Sequence, residues 1–255
     1  KNNNSFETTL ELALAIARHG DDNSRNKALN ILTNINWENL KDSNKLNFIR
    51  AIDLLMIRLD NGLPIEIKEK IKDLFLPAYL ASSETVNIEL CKTLSYLQVE
   101  EIIDLTLLEM ETNTSLEGMK EIYLSSDITE RSEQYGKDVE NMLANMPNQR
   151  NISYAHSLSY LQKGWSTAAR ERYFQWFGSA LQKAGGKMYL KFIKAIQKTA
   201  LENVPSQERD YLLELTEVAA KRSSDDMKDV VQPKGPGTNW TVELLMSAYE
   251  KNYKN

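Results

Sequence analysis

The sequence predicts an all-α protein, an α-solenoid of HEAT-like or armadillo-like helical pairs. Three observations predict it. Apolar residues recur at helical spacing from end to end, with no competing strand alternation. Only 10 Gly and 6 Pro punctuate 255 residues, far from the turn-rich pattern of sandwiches and barrels. Two helices with their polar breaks occupy about 40 residues, the size of such a repeat unit.

The elements follow in order. Phe6, Leu10, Ala13, Leu14 and Ala17 mark a first helix, with Ser5 as N-cap and Gly20 as its stop. A second places Ala28, Ile31, Leu32 and Ile35 on its inner face. A third follows Asp42 and Ser43, with Ile49, Ile52, Leu55, Met56 and Leu59 inward, and ends at Asn61-Gly62. Pro64, read as an N1 proline, opens a fourth with Ile67, Ile71, Leu74 and Phe75. Leu90, Cys91, Leu94 and Leu97 mark a fifth, and Ile103, Leu107 and Met110 a sixth.

Residues 111–136 weaken the pattern and read as an irregular insertion. Twelve acidic against three basic residues fall between Glu100 and Glu140. The array resumes with Val139, Met142, Leu143 and Met146, then Ala155, Leu158 and Leu161. Ser166 caps the next helix, which turns Ala169, Tyr173, Trp176, Phe177 and Ala180 inward and Phe174 to another side, and Gly185-Gly186 ends it. Its partner carries Tyr189, Phe192, Ile193, Ile196 and Ala200 inward. Pro205 and Ser206 start the last long helix, with Leu212, Leu215 and Ala219 facing in. The array thus spans 1–221. Residues 222–255 read as a linker with a short amphipathic piece (Val242, Leu245, Met246 and Tyr249) that points toward a further domain. The chain begins without Met and ends on a helical pattern, so it reads as a piece of a longer protein.

Composition bounds the function. An apolar share of 42% and a charged share of 26% are those of an ordinary globular chain, and a net charge of −5 disfavours a general nucleic-acid binder. One cysteine, Cys91, allows no intrachain disulfide. No apolar run is long enough to span a membrane.

No catalytic, cofactor-binding or metal-ligating set emerges. His19 and His156 stand far apart, each without the converging ligands a metal needs; His156, beside Tyr154 and Tyr160, reads as a hydrogen-bonded packing residue. Cys91 sits on an apolar face and reads as a small buried hydrophobe. There is no GxSxG, phosphate-cradling loop or CxxCH.

Two features invite a role. The first is the aromatic stretch from Gly164 to Phe192, in which Trp165, Tyr173, Trp176 and Phe177 read as core by their spacing. The second is charge. Eight basic residues against one acid, Glu171, give +7 between Lys163 and Lys198, so the rest of the chain carries −12. Lys187, Lys191, Lys194 and Lys198 form one stripe opposite the apolar face, a solvated surface or a docking site for an acidic partner. Nucleic-acid binding ranks last, because the stacking aromatics and the lysines fall on opposite faces.

Three segments resemble a known pattern: NIELCKTLSYLQ (87–98), GWSTAARERYFQWFGSALQKAGG (164–186) and QPKGPGTNWTVELL (232–245). The chain resembles the HEAT-like helical domain of bacterial multidomain proteins that also carry a dehydrogenase-like β-propeller and a c-type cytochrome domain. Gly164, Trp165, Arg172, Tyr173, Phe174, Trp176, Phe177, Gly185 and Gly186 carry the likeness, with Gly235, Pro236, Gly237 and Trp240 at the junction. An IHYA-like run of that family is Ile152, Ser153, Tyr154 and Ala155 here, so no histidine role transfers. The resemblance implies an exported, periplasmic or cell-surface redox protein as the parent; within it the repeat periodicity, the charge asymmetry and the linker after Lys221 point to a non-catalytic scaffold that positions the propeller and the cytochrome domain. Haem is implied only for a downstream domain, and the partners are neighbouring domains, an acidic redox domain among them. The alternative is a small-molecule or glycan-binding module built on the aromatics around Trp165–Phe177, where hydrolysis would need Glu171 to meet a second carboxylate.

Overall fold

A computed structural model describes residues 6–112, 148–183 and 186–226, with side chains placed through 188–221 in the last stretch. The described residues form ten α-helices and one 3-10 turn, with no strand among them. The helices are α1 (Phe6–His19), α2 (Asp22–Leu32), α3 (Asp42–Met56), α4 (Ile65–Phe75), α5 (Glu84–Tyr96), α6 (Ile102–Thr112), α7 (Gln149–Leu158), α8 (Thr167–Ala180), α9 (Gly186–Glu202) and α10 (Ser206–Asp226). The fold is all-α.

Local chemistry sets the helix starts. Asp21 Oδ1 accepts the Ser24 amide at 2.8 Å, and this bond holds the Asp21 carboxyl below its usual range. Asn148 and Ser166 cap α7 and α8 in the same way, accepting from Asn151 and Ala169 at 3.1 Å each. Pro64 stands one place earlier than expected, at the N-cap of α4, where its carbonyl accepts from Ile67 and Lys68.

Packing runs in series. α1 packs on α3, α3 on α5, α5 on α7 and α7 on α9; α2 packs on α4 and α6 on α8, and among sequence neighbours α1 meets α2, α2 meets α3, α4 meets α5, α5 meets α6, α6 meets α7 and α8 meets α9. Hydrogen bonds between alternate helices repeat this order. Lys70 reaches Asn30, Thr93 reaches Asp53, Arg50 reaches Glu89, Arg170 reaches Glu208, Tyr211 reaches Glu171 and Thr216 reaches the Phe174 carbonyl, at separations of 38 to 42 residues.

Leu10, Ala13, Leu29, Ile49, Ile52, Leu55, Ile71, Leu90, Cys91, Leu94, Ile103, Leu158, Phe177 and Ile193 are among the side chains of a continuous buried core. It includes an aromatic group that the periodicity does not reveal. Trp37, on the 3-10 turn Trp37–Asn39, lies 6.1 Å from Phe48 and 5.5 Å from Phe75 between ring centres.

Several expectations are corrected. Ile31 is 60% exposed, because α2 buries the Ala28, Leu29 and Leu32 side instead. Phe192 is 48% exposed, because α9 buries Ile193, Ile196 and Ala200 and turns Phe192 outward. α8 ends at Ala180, before the glycine pair, and Gly186 is the first residue of α9. α10 continues to Asp226, so the linker expected from 222 begins inside a helix. Ser5, Gly185, residues 113–147 and 227–255 lie outside the described residues, and with them the greater part of the expected insertion and linker.

Candidate functional site

Serine-capped α8 carries the aromatic signature. Tyr173 is buried and donates its hydroxyl to the Ala155 carbonyl of α7 at 2.5 Å, and burial pushes that phenol well above its ordinary pKa. Trp165 donates Nε1 to the Leu161 carbonyl at 3.0 Å and stacks on Tyr173, with ring centres 5.1 Å apart. Phe174 and Phe177 are both buried, so α8 is covered on two sides, and half-buried Trp176 lies edge-on to Phe177 at 5.1 Å. Beside Trp165, Arg170, Tyr173 and Phe174 the free space amounts to about 10 Å³, room for one water. These aromatics fill space.

Backbone detail fixes this corner. Gly164 adopts φ +81°, and a Cβ there would collide with the Glu100 Cβ. Only glycine meets both demands. On the other flank, α10 approaches α8 so closely that a Cβ on Gly178 would lie 2.5 Å from the Ala219 Cβ.

α9 presents the charge. Lys191, Lys194 and Lys198 are exposed, and none pairs with a carboxylate of the described residues; the Lys187 side chain lies outside them. Isoleucines 193 and 196 and Ala200 anchor the helix from the opposite side, and Tyr189 fastens its start by donating to the Ala180 carbonyl at 2.7 Å. Burial raises the Tyr189 phenol to about 12.

Beside the lysines lies a group that sequence reasoning separated. His156 of α7 sits with its ring 5.8 Å from Phe192 and 5.3 Å from Tyr160, edge-on to the latter, with Nε2 3.4 Å from the Tyr160 hydroxyl. Partial burial, then the charge of Lys92 on α5, lower the His156 pKa. The hydrogen-bonded packing role read for His156 describes its contacts, but its neighbour Phe192 is exposed rather than inward. The expectation that the aromatics of this stretch face inward therefore fails for Phe192. The i, i+4 pairs His156/Tyr160 and Met188/Phe192 were the signal for this surface, but the first was read only as packing and the second not at all.

The remaining chemistry is structural. Cys91 is fully buried, and burial raises its thiol pKa, leaving it a weak nucleophile. Glu171 accepts the Tyr211 hydroxyl at 2.8 Å, which links α8 to α10. Among the described residues no three His, Cys, Asp or Glu side chains converge as a metal site would need. No helix of the described residues is long and apolar enough to cross a membrane. No protein-family model, curated protein or solved structure matches the chain.

Proposed function

We propose that the chain is a non-catalytic helical-repeat scaffold, an α-solenoid of HEAT-like pairs, within a larger exported redox protein. In this reading it holds a dehydrogenase-like propeller and a c-type cytochrome domain in a fixed relation, in the periplasm or at the cell surface. The observation that carries the repeat architecture is the register of hydrogen bonds between alternate helices at 38 to 42 residues, which is what one unit stacked on the next produces. The redox context rests on the resemblance of the 164–186 and 232–245 segments.

The haem belongs to the neighbouring domain. Attachment needs CxxCH, and the one cysteine here is Cys91, in the core. The docking surface in this reading is the α9 stripe of Lys191, Lys194 and Lys198, because exposed lysines without a carboxylate partner among the described residues speed and orient the approach of an acidic partner. The rival, a small-molecule or glycan site at Trp165–Phe177, would need far more room than the 10 Å³ beside that cluster.

The test mixes this chain with a separately prepared acidic c-type cytochrome domain and follows association across a salt titration. Binding that weakens with salt, and weakens further with Lys191→Glu plus Lys194→Glu, is expected. Association indifferent to both, or none, removes the docking role.

A further inference from the structure

We infer that the exposed face shared by α5, α7 and α9 seats an acidic polypeptide segment that inserts an apolar side chain between Phe192, Tyr160 and His156. The inference rests on the docking reading of α9 and supplies its recognition chemistry.

Three observations converge. First, the face exposes large apolar groups on α5, on the turn after α7, and on α9. Tyr96 is 54% exposed, Tyr160 51%, Phe192 48% and Met188 75%. A single exposed hydrophobe needs no explanation, whereas a cluster on one surface marks an interaction site. His156 joins two of them, with ring distances of 5.3 and 5.8 Å, and it stands within electrostatic reach of Lys92, one turn before Tyr96.

Second, the rim is cationic. With ~100° between successive residues of a helix, Lys191 falls about 60° from Met188 and about 100° from Phe192, and Lys194 and Lys198 lie farther round, on the side away from buried Ile193 and Ile196. Lys92 adds a charge that it shares with Glu89 at 3.5 Å. An apolar centre with a polar, charged rim is the anatomy of a protein-binding surface.

Third, the geometry of the rings favours a polypeptide over a nucleic acid. His156 meets Tyr160 at an interplanar angle of 88° and Phe192 at 32°, so the rings engage one another instead of offering parallel free faces to successive bases. A side chain entering among ring edges fits this arrangement, and carboxylates beside it meet the lysines.

The test uses fluorescence anisotropy of the full chain with three labelled probes: a short Glu/Asp-rich peptide with one central Trp, the same peptide with Ser for Trp, and oligothymidylate. The Trp peptide is expected to bind about tenfold more tightly than the Ser peptide, the loss typical of removing an aromatic anchor. Phe192→Ser, and separately Tyr160→Ser, should erase that difference without lowering the thermal midpoint, since both side chains are half-exposed. Lys191→Glu plus Lys194→Glu should weaken both peptides and flatten their salt dependence. If Phe192→Ser and Tyr160→Ser leave the Trp peptide unaffected while the lysine reversals weaken it, the anchor inference falls and lysine docking stands. If the lysine reversals have no effect, both fall. Tighter binding of oligothymidylate, or no binding of either peptide, overturns the inference, and the cytochrome titration then judges the docking reading separately.

Discussion

Replacing Asp53 with Asn is expected to stabilise the protein at neutral pH and leave it unchanged in acid. Asp53 lies largely buried on α3, where its Oδ1 accepts the Thr93 hydroxyl of α5 at 2.8 Å. Burial raises its pKa from the ordinary 3.8 to about 6, against smaller lowering effects from Thr93 and Lys92. Because the folded-state pKa is the higher one, the native protein holds a proton between pH 4 and 6 that the unfolded chain has released. This contribution is therefore fully present below pH 4 and lost as pH rises through 6. At ~1.4 kcal/mol per tenfold, keeping the charged form inside costs about 3 kcal/mol at pH 7 as an upper figure. Asn is neutral, and its amide oxygen still accepts from Thr93. Urea denaturation of both proteins at pH 7.5 and pH 3.5 measures the difference directly. The expected result is a gain for Asp53→Asn at pH 7.5 of up to ~3 kcal/mol, which corresponds to a midpoint shift of roughly 6–10 °C for a chain of this size. The two proteins should agree at pH 3.5. A variant that is equal or weaker at pH 7.5, or a difference that does not change with pH, refutes the reasoning.

Two packing predictions complete the set. Gly178→Leu forces α8 and α10 apart at a contact where even a Cβ would lie 2.5 Å from Ala219 and 2.6 Å from the Thr216 carbonyl, and should cost about 1–3 kcal/mol by urea denaturation despite the better helix propensity of leucine. Tyr173→Phe deletes the buried bond to the Ala155 carbonyl and should cost about 1–2 kcal/mol with near-native circular dichroism; an unchanged denaturation midpoint counts against that bond.

Helical period was enough to find the helices and their buried sides wherever one face is strongly apolar. The inward sets of α5 and α6 follow from spacing alone, and so does that of α3 except for Leu59, which lies past the helix end at Met56 and is only partly buried. It failed where a helix is covered over a different arc from the one its most hydrophobic residues suggest. Ile31 and Phe192 are as apolar as their buried neighbours, yet which residue faces water depends on where α4 or α7 approaches, and that is tertiary information. Trp37 escaped for the opposite reason. It sits on a three-residue turn too short to show any period, although it packs between Phe48 and Phe75. The lysine stripe was readable because charges on one helix face obey the same spacing as core residues. Its neighbours His156 and Tyr160 were not, because they reach it from another helix.

The end of α6 is joined to the start of α7 by a specific set of hydrogen bonds. The last carbonyls of a helix lack partners within it and must find them elsewhere. Here the first turn of α7 supplies them. Buried Asn151 donates Nδ2 to the Met110 carbonyl at 2.9 Å, and Arg150 donates to the Glu109 carbonyl and, at 3.0 Å, to the Glu109 carboxylate. Arg150 also lies over the Tyr154 ring at 5.9 Å, so one buried guanidinium ties the two helices and braces its own. The α6 terminus is thus capped by side chains that stand 41 residues farther along the sequence. The contacts that hold α6 to α7 are therefore made by the two helices themselves, through one buried amide and one buried guanidinium.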